Sequence, residues 1–71
     1  KLKIDLSFIE NIQHQAADQS IVHTIIELGH NLGLKVIAEG VEREGQKQML
    51  LEMNIDALQG YLFAKPTQLT S

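Results

Sequence analysis

Apolar and polar side chains alternate at the start of the chain, with Leu2 and Ile4 on one side and Lys3 and Asp5 on the other. This period of two predicts a short strand over residues 2–6. One helical turn is predicted over 7–12, with Ser7 as N-cap, Glu10 closing a capping box, and Phe8, Ile9 and Ile12 tucked against the sheet. Residues 13–19 are polar and aperiodic and read as a surface connection. Ile21, Ile25, Leu28 and Leu32 then recur at helical spacing, flanked by Val22 and Ile26. They predict a helix capped by Asp18 or Ser20 and stopped by a left-handed Gly33. The β-branched run at 35–38 predicts a buried strand, and Met49, Leu50 and Met53 mark the core side of a second helix over 44–53. Asn54 stands where that helix needs a left-handed residue, and 55–58 reads as a third strand. Tyr61, Leu62 and Phe63 continue as an apolar loop, and Pro66 suits the first turn of another helix.

Strand, helix, strand, helix, strand at these spacings predicts an α/β fold, a β-α-β-α-β unit with parallel strands. In such a sheet one strand face meets the helices and the other meets a second layer or a barrel interior. Alternation puts Val36 and Ala38 on the first face, and Ile37 and Glu39 on the second with Lys3, Asp5, Ala57 and Gln59. A cation, two acids and an amide do not share a dry interior unless they pair or bind something. In a simple two-layer sheet, however, Lys3 and Asp5 would form a solvated edge. Glu39 falls at a strand's carboxyl end, where parallel sheets place ligands and chemistry, and Gly40 permits a tight turn or a close approach.

Composition narrows the function classes. A chain of 71 residues holds one small domain and buries only about three-fifths of its unfolded surface, so its stability is modest. The apolar share of 44% is enough for a core and too high for a disordered segment. A net charge of −3, with six scattered basic residues, argues against a nucleic-acid polymer as partner. The absence of cysteine excludes disulfides and thiolate metal sites and fits a reducing compartment. No apolar run reaches the length of a membrane span, so a cytoplasmic location is expected, with tethering through another domain left open. His14, His23 and His30 read as surface residues rather than metal ligands. The chain opens on Lys1 without a leader-like segment and reads as a piece of something longer.

The strings LKID at 2–5 with SFI at 7–9, NLGLKVIAEGVE at 31–42 and QGYLFAKP at 59–66 resemble the C-terminal third of EAL domains. These are bacterial phosphodiesterases that hydrolyse cyclic di-GMP. The resemblance implies that residues 1–71 are the C-terminal segment of such a domain, carrying the last three parallel strands of a modified TIM barrel. It implies a pair of Mg2+ or Mn2+ ions at the strand ends that activate water for in-line attack on cyclic di-GMP, giving linear pGpG. Lys3 then matches the lysine touching this water or the phosphate, able to orient or deprotonate the water. Glu39 matches the metal-site acid, Gln59 an amide behind the ligands and Asp5 a supporting acid. Glu42 matches an acid near the guanine base, and Phe63 and Pro66 a loop bordering the nucleotide. A plainer role for Lys3 is a strand-end lysine paired with Asp5 or Glu39.

The EAL signature, the other metal-binding acids and the family's paired aspartates would all lie upstream, so this chain by itself is expected to be inactive. Its partners would be cyclic di-GMP, the upstream half of the domain and, through an exposed barrel face, a second copy. Leu6 stands where an arginine often follows LKID, and Arg43 replaces a common capping threonine, which should weaken the second helix's N-terminus. A catalytically degenerate receptor or interaction module is the alternative to an enzyme.

Overall fold

In the computed structural model, which describes residues 1–60, the strands are β1 (Leu2–Ile4), β2 (Val36–Ala38) and β3 (Ala57–Leu58). The helices are α1 (Leu6–Ile9), α2 (Ala16–Asn31) and α3 (Glu44–Glu52). The strands pair in parallel in the order β1-β2-β3. Leu2 lies opposite Val36; Lys3, Ile37 and Ala57 stand in one row; and Ile4, Ala38 and Leu58 stand in the next. Alternation therefore puts Ile4, Ala38 and Leu58 on the helix-covered face, where Ile4 and Ala38 are fully buried. The remaining core is Ile9, Ile12, Val22, Ile26, Val36, Val41, Leu50 and Ile55. No helix among the described residues is long and apolar enough to cross a membrane.

Four details depart from the pattern-based reading, each for a physical reason. Asp5, not Ser7, caps α1: its extended backbone lets the carboxylate accept from the Ser7 N–H at 3.0 Å. A carboxylate is the stronger acceptor, and it takes the first position at which the chain leaves the strand. Secondly, α2 begins at Ala16, inside the supposed connection, with Gln15 as an N-cap that makes no side-chain bond. Ala16 and Ala17 extend the helix by propensity, Asp18 complements the dipole in the first turn, and Gln19 Nε2 donates to Ile12 O at 2.9 Å.

Thirdly, the buried face of α2 is Val22, Ile26 and Gly29, whereas Ile21, Leu28 and Leu32 are exposed and Ile25 is half-buried. Gly29 selects the face: a Cβ there would stand 2.5 Å from Val36 Cγ2, so only a glycine lets α2 approach β2 this closely. Lastly, β3 is shorter than the predicted third strand, since Ile55 and Asp56 precede the ladder. Tyr61, Phe63 and the proposed helix at Pro66 lie outside the described residues.

Both long helices end as expected. Gly33 (φ 76°) and Asn54 (φ 67°) take left-handed conformations. After α2, Gly33 N–H donates to His30 O and Leu34 N–H to Gly29 O; after α3, Asn54 N–H donates to Leu51 O and Ile55 N–H to Leu50 O. These paired bonds satisfy carbonyls that the last turn would leave open.

Candidate active site

The rim at the carboxyl ends of the strands is built from backbone outward. Beyond the last paired residues the ladder continues: Glu39 N–H donates to Ile4 O at 3.1 Å, Gln59 N–H to Ala38 O at 2.8 Å and Val41 N–H to Gln59 O at 2.9 Å. Glu39 and Gln59 are thus fixed side by side, one pleat above Ile37 and Ala57. Lys3 stands in the row below, and its ammonium lies 3.6 Å from Glu39 Oε2. The diagonal is short enough for a long side chain to bridge on one sheet face. Lys3 is 55% exposed and Glu39 33%, so solvent screens the pair and it adds little to stability. The pair instead brings a cation and a carboxylate together where a ligand can reach both.

The chain turns sharply after Glu39. Gly40 has φ 75°, and a side chain there would run into Leu6, whose Cα lies 3.3 Å from the Cβ position. The turn thus seats the segment after β2 directly on the start of α1. Gly60 lies equally close to the Val41 backbone, whose carbonyl carbon would be 2.8 Å from an added Cβ.

Asp5 belongs to the same rim, but its carboxylate is occupied as the α1 cap. Bonds from the Ser7 hydroxyl and then from the Ser7 N–H hold it below the usual carboxylate range. Glu42 is exposed, three residues beyond Glu39, with its N–H bonded to Gln46 Oε1 at 2.7 Å. Lys3, Glu39 and Gln59 therefore come together, Asp5 and Glu42 flank them, and Phe63 and Pro66 lie outside the described residues. Among the described residues, no three of His, Asp and Glu gather as a metal cage. Glu39 offers one hard oxygen donor, suited to a divalent cation but insufficient alone to hold one.

Two side chains that tie distant segments together escape the periodic pattern. Gln46 is buried within α3 and bonds both to the loop after β2 and to the end of α1. Its one sequence signal is position, three residues after the N-cap, where a capping box places Glu or Gln. Only that half of the box forms, because Arg43 has donors alone. Arg43 instead donates from Nη2 to Glu10 O at 2.8 Å and from Nε to Gln13 Oε1 at 3.2 Å, so the expected loss of a cap is offset by ties to α1. At the opposite end of the strands, Asp56 Oδ2 accepts from Val36 N–H at 2.8 Å and lies 2.6 Å from His30 Nε2. Those bonds, the Val36 one first, hold Asp56 below its ordinary pKa. No local pattern links residues so far apart in the chain.

Comparison with known proteins now bears on this geometry. The EAL domain sequence profile matches residues 1–66. The signaling protein YkoW of Bacillus subtilis is 52% identical over 66 residues, which cover 93% of this chain and 8% of that protein. The bifunctional diguanylate cyclase/cyclic di-GMP phosphodiesterase MucR of Pseudomonas aeruginosa is 44% identical over 66 residues, 93% of this chain and 10% of MucR. Among solved structures, the PaMucR phosphodiesterase in complex with c-di-GMP superposes with a TM-score of 0.87 at 43% identity, over 92% of this chain and 26% of that one. Klebsiella pneumoniae BlrP1 with manganese and cyclic di-GMP gives a TM-score of 0.84 at 32% identity, over 89% of this chain and 16% of its own. The chain thus spans about a tenth of the curated relatives.

Proposed function

Because this chain belongs to the EAL domain family, we propose that it forms the C-terminal strands of a phosphodiesterase that opens cyclic di-GMP to linear pGpG. The observation that carries this reading is the Lys3–Glu39 pair at the carboxyl rim, with Gln59 in the adjoining strand position.

In the proposed reaction a water oxygen bonds to phosphorus as one phosphodiester bond breaks, and the departing ribose oxygen takes a proton. Glu39 would be the ligand this chain contributes to divalent cations, which when bound would neutralise the charge that develops in hydrolysis and lower the pKa of the attacking water. Lys3 holds the water or a phosphate oxygen in line, which its exposed ammonium, tethered by Glu39, is free to do. Gln59 orients the Glu39 carboxylate, Asp5 fixes the segment that follows Lys3, and Glu42 faces the base. Phe63 and Pro66, outside the described residues, are assigned to the nucleotide by the family resemblance alone. The other ligands come from strands upstream in the same domain, so the 71-residue chain alone has no turnover. That upstream half is its obligate partner, and the assembled domain works in the cytoplasm.

Lys3→Ala and Glu39→Gln in the full-length polypeptide, assayed with cyclic di-GMP and Mg2+ or Mn2+, test this reading. Each should lower turnover by about a hundredfold or more while leaving the unfolding midpoint within a degree or so, because a screened surface pair contributes little to stability. Near-normal turnover in either variant overturns the assigned role. Tight binding without hydrolysis by the unsubstituted protein overturns the enzyme reading and identifies a receptor.

A further inference from the structure

Among the described residues, Gln46 is the one buried polar side chain, 1% exposed. All of its hydrogen-bonding capacity is used. Oε1 accepts from Glu42 N–H at 2.7 Å and from Arg43 N–H at 3.0 Å. Nε2 donates to Ile9 O at 3.2 Å and to Glu10 O at 3.3 Å. The first pair lies in the loop that carries Glu39 and Glu42; the second ends the helix that begins at the Asp5 cap, just after Lys3.

We propose that Gln46 is a positioning residue that clasps the loop bearing Glu39 and Glu42 to the helix following Lys3 and Asp5, and thereby steadies the turn on which Glu39 faces Lys3. The inference rests on the phosphodiesterase reading of the rim. Gln46 touches neither substrate nor the reacting atoms. It acts through two backbone segments that no described strand pairing joins, since the β1–β2 ladder ends with Glu39 N–H on Ile4 O. Beyond that bond the chain turns at Gly40 onto Leu6 at the start of α1, and the clasp ties its continuation at Glu42 and Arg43 to the end of the same helix. Arg43 adds a second tie to the same carbonyl, Glu10 O.

The amide can sit only one way round, because the loop side presents N–H donors and the α1 side presents carbonyls. A carboxylate is therefore no substitute. Gln46→Glu keeps both bonds to the loop but sets an oxygen against two carbonyls, and it can restore a donor only when protonated. Gln46→Leu fills the space and removes all the bonds.

The experiment uses the full-length polypeptide with Mg2+ and cyclic di-GMP, combining initial-rate kinetics with amide hydrogen exchange over residues 39–46. Gln46→Leu should lose roughly tenfold to a hundredfold in kcat, as a misplacement of about 1 Å does, with KM within about threefold of wild type. Exchange at Glu42 and Arg43 should accelerate, while that of β2 is unchanged. Gln46→Glu should approach wild-type kcat at the acidic end of the pH range and fall away relative to wild type as pH rises. A folded Gln46→Leu protein with wild-type kcat overturns the proposal, as does a Gln46→Glu defect that is the same at every pH. If Gln46→Leu does not fold, the pH profile of Gln46→Glu decides. If the unsubstituted protein has no turnover, the phosphodiesterase reading fails on its own, and Glu42 and Arg43 amides that are protected in the wild type and exposed in Gln46→Leu still support the clasp; amides unprotected in the wild type overturn it.

Discussion

An ammonium 3.6 Å from a carboxylate on an open rim is worth little to the fold and a good deal to a ligand that can insert between them. The same residues would be costly in a closed interior, so their exposure is what makes the rim usable. At the other end of the strands, Asp56 gathers Val36 N–H and His30 Nε2 on one oxygen, with the Lys35 charge nearby. Its pKa is lowered on folding, so its contribution is fully present above the ordinary value of 3.8 and is lost as pH falls through the depressed one. Comparing wild type with Asp56→Asn by thermal unfolding of the complete domain from that ordinary value downward should show a stability difference that shrinks on acidification. A difference that grows on acidification would contradict the assignment.

Among the elements, two glycines of α2 and its cap separate steric from conformational cost. Gly33 has open space around a prospective Cβ but a φ of 76°, so Gly33→Ala should cost about 1–2 kcal/mol through backbone strain alone. Gly29 has ordinary helical geometry but no room, with Val36 Cγ2 2.5 Å from the Cβ position, so Gly29→Ala should cost about 1–3 kcal/mol through overpacking. Combining Gly29→Ala with Val36→Ala should recover part of the second loss and none of the first, as chemical denaturation of the complete domain will report. Asn54→Gly, at φ 67°, should be neutral or stabilising by a few tenths of a kcal/mol, since glycine occupies that region without penalty.

At the scale of the molecule, the described sheet has unpaired edges at β1 and β3, and its second face exposes Lys3 and Ala57 around a buried Ile37. Ile21, Leu28 and Leu32 share an exposed side of α2, with Leu6 and Leu51 exposed elsewhere. A closed barrel would cover such surfaces with neighbouring strands and helices, whereas a lone segment leaves them to pair with another copy. The chain produced by itself should therefore self-associate, with light scattering giving a mass above one chain. Leu28→Lys combined with Leu32→Lys should reduce that association. A well-folded monomer at all concentrations would contradict the expectation.

Strands at Leu2, Val36 and Ala57, helices ending at Gly33 and Asn54, and a parallel arrangement were all legible in the amino-acid order, because period, β-branching and left-handed stop residues are local signals. Lys3 and Glu39 could be assigned to one face for the same reason, since alternation within a strand is independent of what surrounds it. Which side of α2 is buried was not legible: its apolar stripe is wide enough to allow two answers, and the close fit of Gly29 on Val36 selects one. The start of α1 was not legible because Asp5 and Ser7 are nearly equal as caps, and that of α2 because Ala16 and Ala17 carry the helix back past the better capping residues Asp18 and Ser20. The bonds of Gln46 to Ile9 and Glu10, and of Asp56 to Val36 and His30, exist only once distant segments meet. Periodicity carries no trace of such contacts, because a hydrogen bond between elements depends on where two backbones come to rest and not on the residues adjoining either partner.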